Sequence, residues 1–294
     1  MSTTERVALI TGAGGQLGRA LAATAPPGWR VVPCASRDLD ITDAGAVERA
    51  VAEVAPRLVL NAAAYTAVDR AEAEPDRAFA VNARGPRHLA RALQGRGARL
   101  IHLSTDFVFA GDRPRPYRPG DRPDPGSVYG RSKQAGDEAV MEETGGEALV
   151  VRTSWVYGAG GANFVNTMLR LMGEREEIGV VADQVGTPTW TGSLARALWA
   201  WADLPRARGF RHWSDAGVAS WYDFAVAIAE EGRRAGLLDR ECRVRPIATE
   251  DYPTPAVRPA WSVLDKRESW EELGIEPLHW REALRQALAA WERN

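Results

Sequence analysis

Along the first half of the chain, apolar residues gather in short unbroken runs instead of alternating with polar ones. Arg6-Val-Ala-Leu-Ile-Thr11, Arg30-Val-Val-Pro-Cys-Ala35, Arg57-Leu-Val-Leu-Asn61, Arg99-Leu-Ile-His-Leu-Ser104 and Ala148-Leu-Val-Val-Arg-Thr153 each read as a strand buried on both faces. Between them the apolar positions recur at helical spacing. Leu17, Leu21 and Ala25 follow the first run, and a helix to Val54 follows the second, with Thr42 as N-cap and Asp43 in its first turn. Phe79, Val81, Leu89 and Leu93 mark a helix from Asp76 to about Gln94, with Pro75 breaking the pattern before it. Strands alternating with helices predict an α/β fold: a doubly wound, parallel, Rossmann-type sheet with right-handed crossovers.

The second half is more mixed. Residues 110–128 form a long loop rich in Pro, Gly, Arg and Asp, of a length that tends to be functional. Asn163 to Met172 reads as an amphipathic helix with Asn163 at its cap, and Val180 to Trp190 as a strand and loop. Residues 191–202 return to helix. Short elements follow: strands at 209–213 and 243–247, helices near 220–235 and 280–292. The expected organisation is a first domain over 1–155, with 191–203 packing back on it, and a smaller mixed α/β lobe over 156–294, interleaved with the first; the motifs below make the first the NAD(P)-binding domain and the second the substrate lobe.

Two stretches bring chemistry to this frame. Gly12-Ala-Gly-Gly15-Gln16-Leu17-Gly18 sits between a strand and a helix, the context in which glycines allow a tight turn and a helix N-terminus accepts a pyrophosphate. At the end of the second strand, where an adenosine ribose is read, the chain offers both Arg37 and Asp38. Arg37 favours the 2′-phosphate of NADPH, which is preferred here to NADH. The small residues Ala62, Ala63 and Ala64 at the edge of the third strand suit packing against a flat cofactor. The other stretch is Tyr129-Gly-Arg-Ser-Lys133. Its tyrosine and lysine fall on one helix face, and the chain has six Tyr but only two Lys, Lys133 and Lys266. An ammonium near a phenol favours the phenolate, and bringing a pKa of ~10 to about 7 takes roughly 4 kcal/mol. Such a pair exchanges a proton with a carbonyl oxygen.

Composition narrows the partners. With 37 basic and 39 acidic residues spread along 294 positions and no cationic block, nucleic acid is not expected. No apolar run is long enough for a bilayer, and the polar start Met1–Arg6 reads as neither signal peptide nor lipid anchor. Cys34 and Cys242 lie far apart without CxxC spacing and are expected as reduced thiols of a cytoplasmic protein. His88, His102, His212 and His279 share no metal spacing, so no metal site is expected. Of eleven Trp, all but Trp29 lie after position 150, suggesting an aromatic pocket in the second half.

Taken in order, Gly12-x-x-Gly15-x-x-Gly18, Asn61-Ala-Ala-Ala64, Ser104-Thr105-Asp106 and Tyr129-x-x-x-Lys133 resemble the extended short-chain dehydrogenase/reductases. Leu39-Asp-Ile-Thr-Asp43, Asn61 to Asp69, Ser104 to Phe109, Asp183 to Thr189 and Arg258 to Leu264 are similar to the dTDP-4-dehydrorhamnose reductase family over nearly the whole chain. That resemblance implies reduction of the C4 keto group of a nucleotide-linked 4-keto-6-deoxy sugar. Thr105 would hold the substrate carbonyl oxygen and Tyr129 would donate the proton. Lys133 would bridge the nicotinamide ribose and lower the phenol pKa. Gln16 and Leu17 lie within the cofactor turn, Asp40 and Ile41 would contact adenine, and Ala62–Ala64 would line the cofactor. Thr66, Val68, Trp155, Asn163, Gln184 and Arg258 would shape the substrate pocket, Arg258 by a fork on the diphosphate. Phe107 and Tyr65 depart from the Tyr and His often found there. A sugar-nucleotide epimerase or dehydratase, and a regulatory protein like the subunit of methionine adenosyltransferase, share parts of this pattern. A homodimer is compatible with it.

Overall fold

In a computed structural model, which describes residues 6–291, the apolar runs become strands of one parallel sheet. The Met1–Arg6 segment before Arg6, and residue 292 of the last expected helix, lie outside the described residues. The chain runs β1 (Arg6–Thr11), α1 (Gln16–Ala23), β2 (Trp29–Cys34), α2 (Ala44–Val54) and β3 (Leu58–Asn61). Then come α3 (Val68–Ala73), α4 (Pro75–Phe79), α5 (Gly85–Ala92), β4 (Arg99–Thr105), α6 (Val128–Glu143) and β5 (Leu149–Thr153). The second half follows as β6 (Val156–Tyr157), α7 (Phe164–Glu174), β7 (Glu177–Val181), β8 (Val185–Gly186), β9 (Thr189–Trp190) and α8 (Thr191–Ala202). It ends with β10 (Gly209–His212), β11 (Ala219–Ser220), α9 (Trp221–Arg234), β12 (Arg243–Ile247), α10 (Arg267–Leu273) and α11 (Trp280–Ala289).

The six-stranded sheet has the order β10-β5-β4-β3-β1-β2. Successive residues of its strands feed opposite faces. Ala8, Ile10, Leu58, Leu60, Ile101 and Leu103 pack with Leu21 of α1 and with α8, while Leu9, Val59, Leu100 and Val150 pack against α2, α5 and α6. The return to this sheet runs further than 191–203, because β10 pairs parallel with β5, Gly209 opposite Leu149. A separate core joins Val165 and Met168 of α7, Ile178 of β7, Phe224 and Ile228 of α9, and Leu284 of α11. The chain crosses from one side of β1 to the other between β2 and β3, which opens the ligand crevice at the carboxyl ends of β1 and β3.

Local departures from the sequence pattern have physical causes. Asp43, not Thr42, caps α2, its carboxylate accepting from Ala46 N at 2.9 Å. The long helix expected over 76–94 is interrupted by a π turn at Ala80–Arg84. Pro86 has no N–H to give the Asn82 carbonyl, so the regular ladder cannot run through that turn. Two polar helices, α3 and α10, carry too few apolar positions to show a helical period.

Candidate active site

The glycine turn is built by close approach. Gly12 has φ +68°, and a Cβ there would lie 2.6 Å from Ala63 N and 2.7 Å from the Ala62 carbonyl. A Cβ on Gly18 would run into the Gly12 carbonyl oxygen, so α1 can press onto the turn only without one. Gly15 starts α1 with no side-chain cap, leaving the first-turn N–H groups for an anion. Across the crevice, Thr11 Oγ1 donates to Asn61 Oδ1 at 2.7 Å, tying the ends of β1 and β3.

The expected cofactor residues divide between the crevice and the core. Arg37 is 88% exposed, with its guanidinium 3.6 Å from Asp38, whose other carboxylate oxygen accepts from Ala35 N at 2.9 Å. Asp38 thus closes the turn that presents Arg37. Asp40 folds onto Thr42 through two hydrogen bonds of 2.9 and 2.8 Å, and Ile41 is buried against Gly85. Leu17 is half-buried against the first core, and Ala62, Ala63 and Ala64 are half-buried at the crevice. Gln16 reaches the second half of the chain: its Oε1 accepts from Gly158 N at 2.8 Å and from Asn163 Nδ2 at 2.7 Å.

Thr105 closes β4, and its hydroxyl donates to Asp106 Oδ1 at 3.1 Å while accepting from Phe107 N. Gly130 lets α6 press against the Phe107 carbonyl, with Ser127 capping the helix by accepting from Gly130 N at 3.1 Å. That contact seats the partly covered Tyr129 ring edge-on to Phe107, centroids 5.6 Å apart. One turn on, Lys133 is buried and its ammonium donates to the Leu103 carbonyl at 2.5 Å.

The phenol does not stand where the sequence places it. Desolvation pushes Tyr129 up to about 12; the Thr105 hydroxyl opposes this, and the charges of Asp106 and Asp137 add to it. Lys133 itself is drawn down to about 8 by burial, with Asp137 resisting. Held on a main-chain carbonyl, the ammonium does not outweigh the burial of the phenol. Tyr129 is therefore a held proton at neutral pH, the form that a reduction needs.

The facing wall comes from the second half. Trp155 has φ +48°, and its ring stacks on Trp221 with centroids 3.5 Å apart and planes within 5°. A Cβ on Gly186 would meet that ring and the Ser262 hydroxyl. Ser262, in turn, faces Asp106 beside Thr105. Asn163 caps α7, accepting from Asn166 N at 2.9 Å, and reaches Gln16 with its amide. Gln184 is buried and donates to Thr249 at 3.1 Å. Val68 begins α3 half-buried and Thr66 is exposed beside it. Arg258 pairs with Asp69 of α3.

A family model described as the RmlD substrate binding domain matches residues 6–293. A dTDP-4-dehydrorhamnose reductase of Mycolicibacterium smegmatis is 49% identical over 96% of this chain and 85% of its own. The spore coat polysaccharide biosynthesis protein SpsK of Bacillus subtilis is 43% identical over 95% of this chain and 96% of its own. The crystal structure of a dTDP-4-dehydrorhamnose reductase from Bacillus anthracis in complex with NADP superposes with a TM-score of 0.90 at 39% identity, covering 97% of this chain and 99% of that one. The chain belongs to the dTDP-4-dehydrorhamnose reductase family.

Within this family's frame, four side chains stand at the site without having been singled out from the sequence. Asp106 is buried, with desolvation pushing it up to about 6 against hydrogen bonds from Ser262 and Thr105. Its signal was adjacency to Thr105. Trp221 backs Trp155 from an element 66 positions away, for which the sequence carries no signal. Asp69 lies inside the quoted Asn61–Asp69 stretch. Asp137 continues the Tyr129–Lys133 spacing by one further turn, a periodicity visible in the chain. Among the described residues no three His, Cys, Asp or Glu side chains gather as a metal site.

Proposed function

We propose that this protein reduces the C4 keto group of dTDP-4-dehydrorhamnose to dTDP-rhamnose with NADPH. What carries the reading is that one chain, similar end to end to reductases of this substrate, also folds Thr105, Tyr129 and Lys133 together beside the glycine crevice. The crevice fits a dinucleotide: Gly12 lets the turn close onto the Ala62–Ala63 backbone, the α1 N-terminus is uncapped, and exposed Arg37 suits a 2′-phosphate. Gly12, Gly15, Gly18 and Ala62–Ala64 would line it. The bound nicotinamide supplies the hydride.

The chain's own residues do the rest. The Thr105 hydroxyl would turn from Asp106 to the C4 oxygen and donate to it. Tyr129, protonated through neutral pH, would give its proton to that oxygen as the C=O π bond opens and the carbon gains its hydride. Solvent restores the phenol. Lys133 supplies the positive charge that steadies the phenolate between turnovers. Trp155 on Trp221 and the Arg258 fork would hold base and diphosphate. The first core, built from 6–153 and 191–213, would carry the cofactor, and the second the sugar.

The test is to mix the pure protein with dTDP-4-dehydrorhamnose and follow NADPH absorbance. Stoichiometric loss of NADPH with formation of dTDP-rhamnose is expected. A product formed without net NADPH loss would make it an epimerase or dehydratase, and no turnover would favour the regulatory reading.

A further inference from the structure

A lysine ammonium only 2% exposed has lost the water that normally keeps it protonated. The Leu103 carbonyl that receives it, at 2.5 Å, is a dipole and not a counter-charge. Four positions further along α6, on the same face, Asp137 is 1% exposed. One guanidinium fixes it. Arg152 Nε donates to Asp137 Oδ2 at 3.2 Å, and the guanidinium is itself held over the rings of Phe109 and Phe210, 5.2 and 4.3 Å from their centroids. On the other side, Asp137 Oδ1 has no hydrogen bond and lies 3.9 Å from His102 Nε2, which also has none.

The His102 tautomer follows from its neighbours. Asn61 Oδ1 already accepts from Thr11 and from Ala63 N, so the Asn61 amide nitrogen, 2.9 Å from His102 Nδ1, is the donor there. The ring proton is then on Nε2, facing Asp137. Burial, and after it the Lys133 charge, holds His102 well below its ordinary value, so the ring is neutral. Burial pushes Asp137 up, and the Arg152 guanidinium, the Ser104 hydroxyl and, one helical turn away, the Lys133 charge hold it down, with the neutral His102 N–H alongside.

We propose that Asp137 is the positioning residue for the reaction's cation, holding Lys133 in its ammonium form from beneath the site. This rests on the reductase reading of Lys133. Other charges packed on α6 are committed elsewhere. Glu72 of α3 takes the Val128 N–H at the start of the helix, Arg87 and Arg91 of α5 pair with Glu142 and Glu143 at its far end, and Asp106 faces Tyr129 and Ser262. The π turn before α5 presents neutral Asn82, which donates to Ser132 at 3.0 Å.

The chain's lysine content makes the test direct. Full-length protein labelled with 13C at the lysine ε-carbon gives two signals, and Lys266→Arg assigns them. In the wild type, Lys133 should titrate near 8. In Asp137→Asn its midpoint should fall by at least one pH unit, a tenfold change in its ionisation constant, and the alkaline limb of kcat/KM should move with it; Asp137→Glu should restore both. An unmoved midpoint in Asp137→Asn overturns the proposal. So does a wild-type midpoint below 6, which needs no variant and decides alone if Asp137→Asn does not fold. A shifted midpoint in a protein whose wild type never consumes NADPH overturns the reductase reading instead, and leaves the Asp137–Lys133 linkage standing.

Discussion

The Arg258 guanidinium lies fork-on-fork against the Asp69 carboxylate, Nη1 2.9 Å from Oδ1 and Nη2 2.8 Å from Oδ2. The pair joins the loop before Trp261 to the start of α3, and that hydrogen-bonded fork is the chief reason Asp69 stands below the usual carboxylate range. A diphosphate bound by Arg258 must share or displace Asp69. Arg258→Ala is expected to raise KM for the sugar nucleotide by roughly 10–100-fold while kcat changes little, and Arg258→Lys should not restore it. Steady-state kinetics decide this, since equal losses in kcat would put Arg258 outside the diphosphate site.

Arg37 sets the cofactor preference in this account. Its guanidinium is exposed beside the Asp38 carboxylate, which is tied to the Ala35 main chain. Arg37→Ala should raise KM for NADPH by about tenfold and leave KM for NADH nearly unchanged. Parallel changes for both cofactors would return Arg37 to the role of a solvated loop residue.

Stability against acid should depend on Glu231 of α9, a buried carboxylate among Arg285, Arg234 and Arg281. Desolvation works against its charge, yet the three arginines hold it down to about 2 from an ordinary 4.5. A carboxylate lowered on folding stabilises above its unfolded value, so this contribution is complete near pH 5 and above and fades as pH falls from about 4.5 to about 2. The arginines are partly exposed, so screening trims the effect to on the order of 2 kcal/mol. Glu231→Gln should unfold at lower denaturant at pH 7 and approach the wild type below pH ~3.

Much of the sheet was legible because strands buried on both faces leave continuous apolar runs, as at Ala8–Ile10 and Leu58–Leu60. The Tyr129–Lys133 pair was legible because one helical turn sets its spacing, whereas Thr105 was named only through the family resemblance. The sixth strand, β10, was not readable as part of that sheet, because its partner β5 lies far away in sequence. Likewise the Trp155–Trp221 stack and the Arg258–Asp69 fork are products of tertiary folding, with no local pattern. The direction of the Tyr129 shift was misread for a different reason: helical spacing fixes which side chains are neighbours, whereas burial and the Leu103 carbonyl decide which neighbour the ammonium serves.

The most direct test of the central claim is turnover by Tyr129→Phe, which removes one hydroxyl and leaves the ring against Phe107. With dTDP-4-dehydrorhamnose and NADPH, kcat should fall by roughly 10²–10⁴ while NADPH still binds with a Kd within about threefold of the wild type. Undiminished kcat in a folded, NADPH-binding variant would contradict the assignment of the proton to Tyr129.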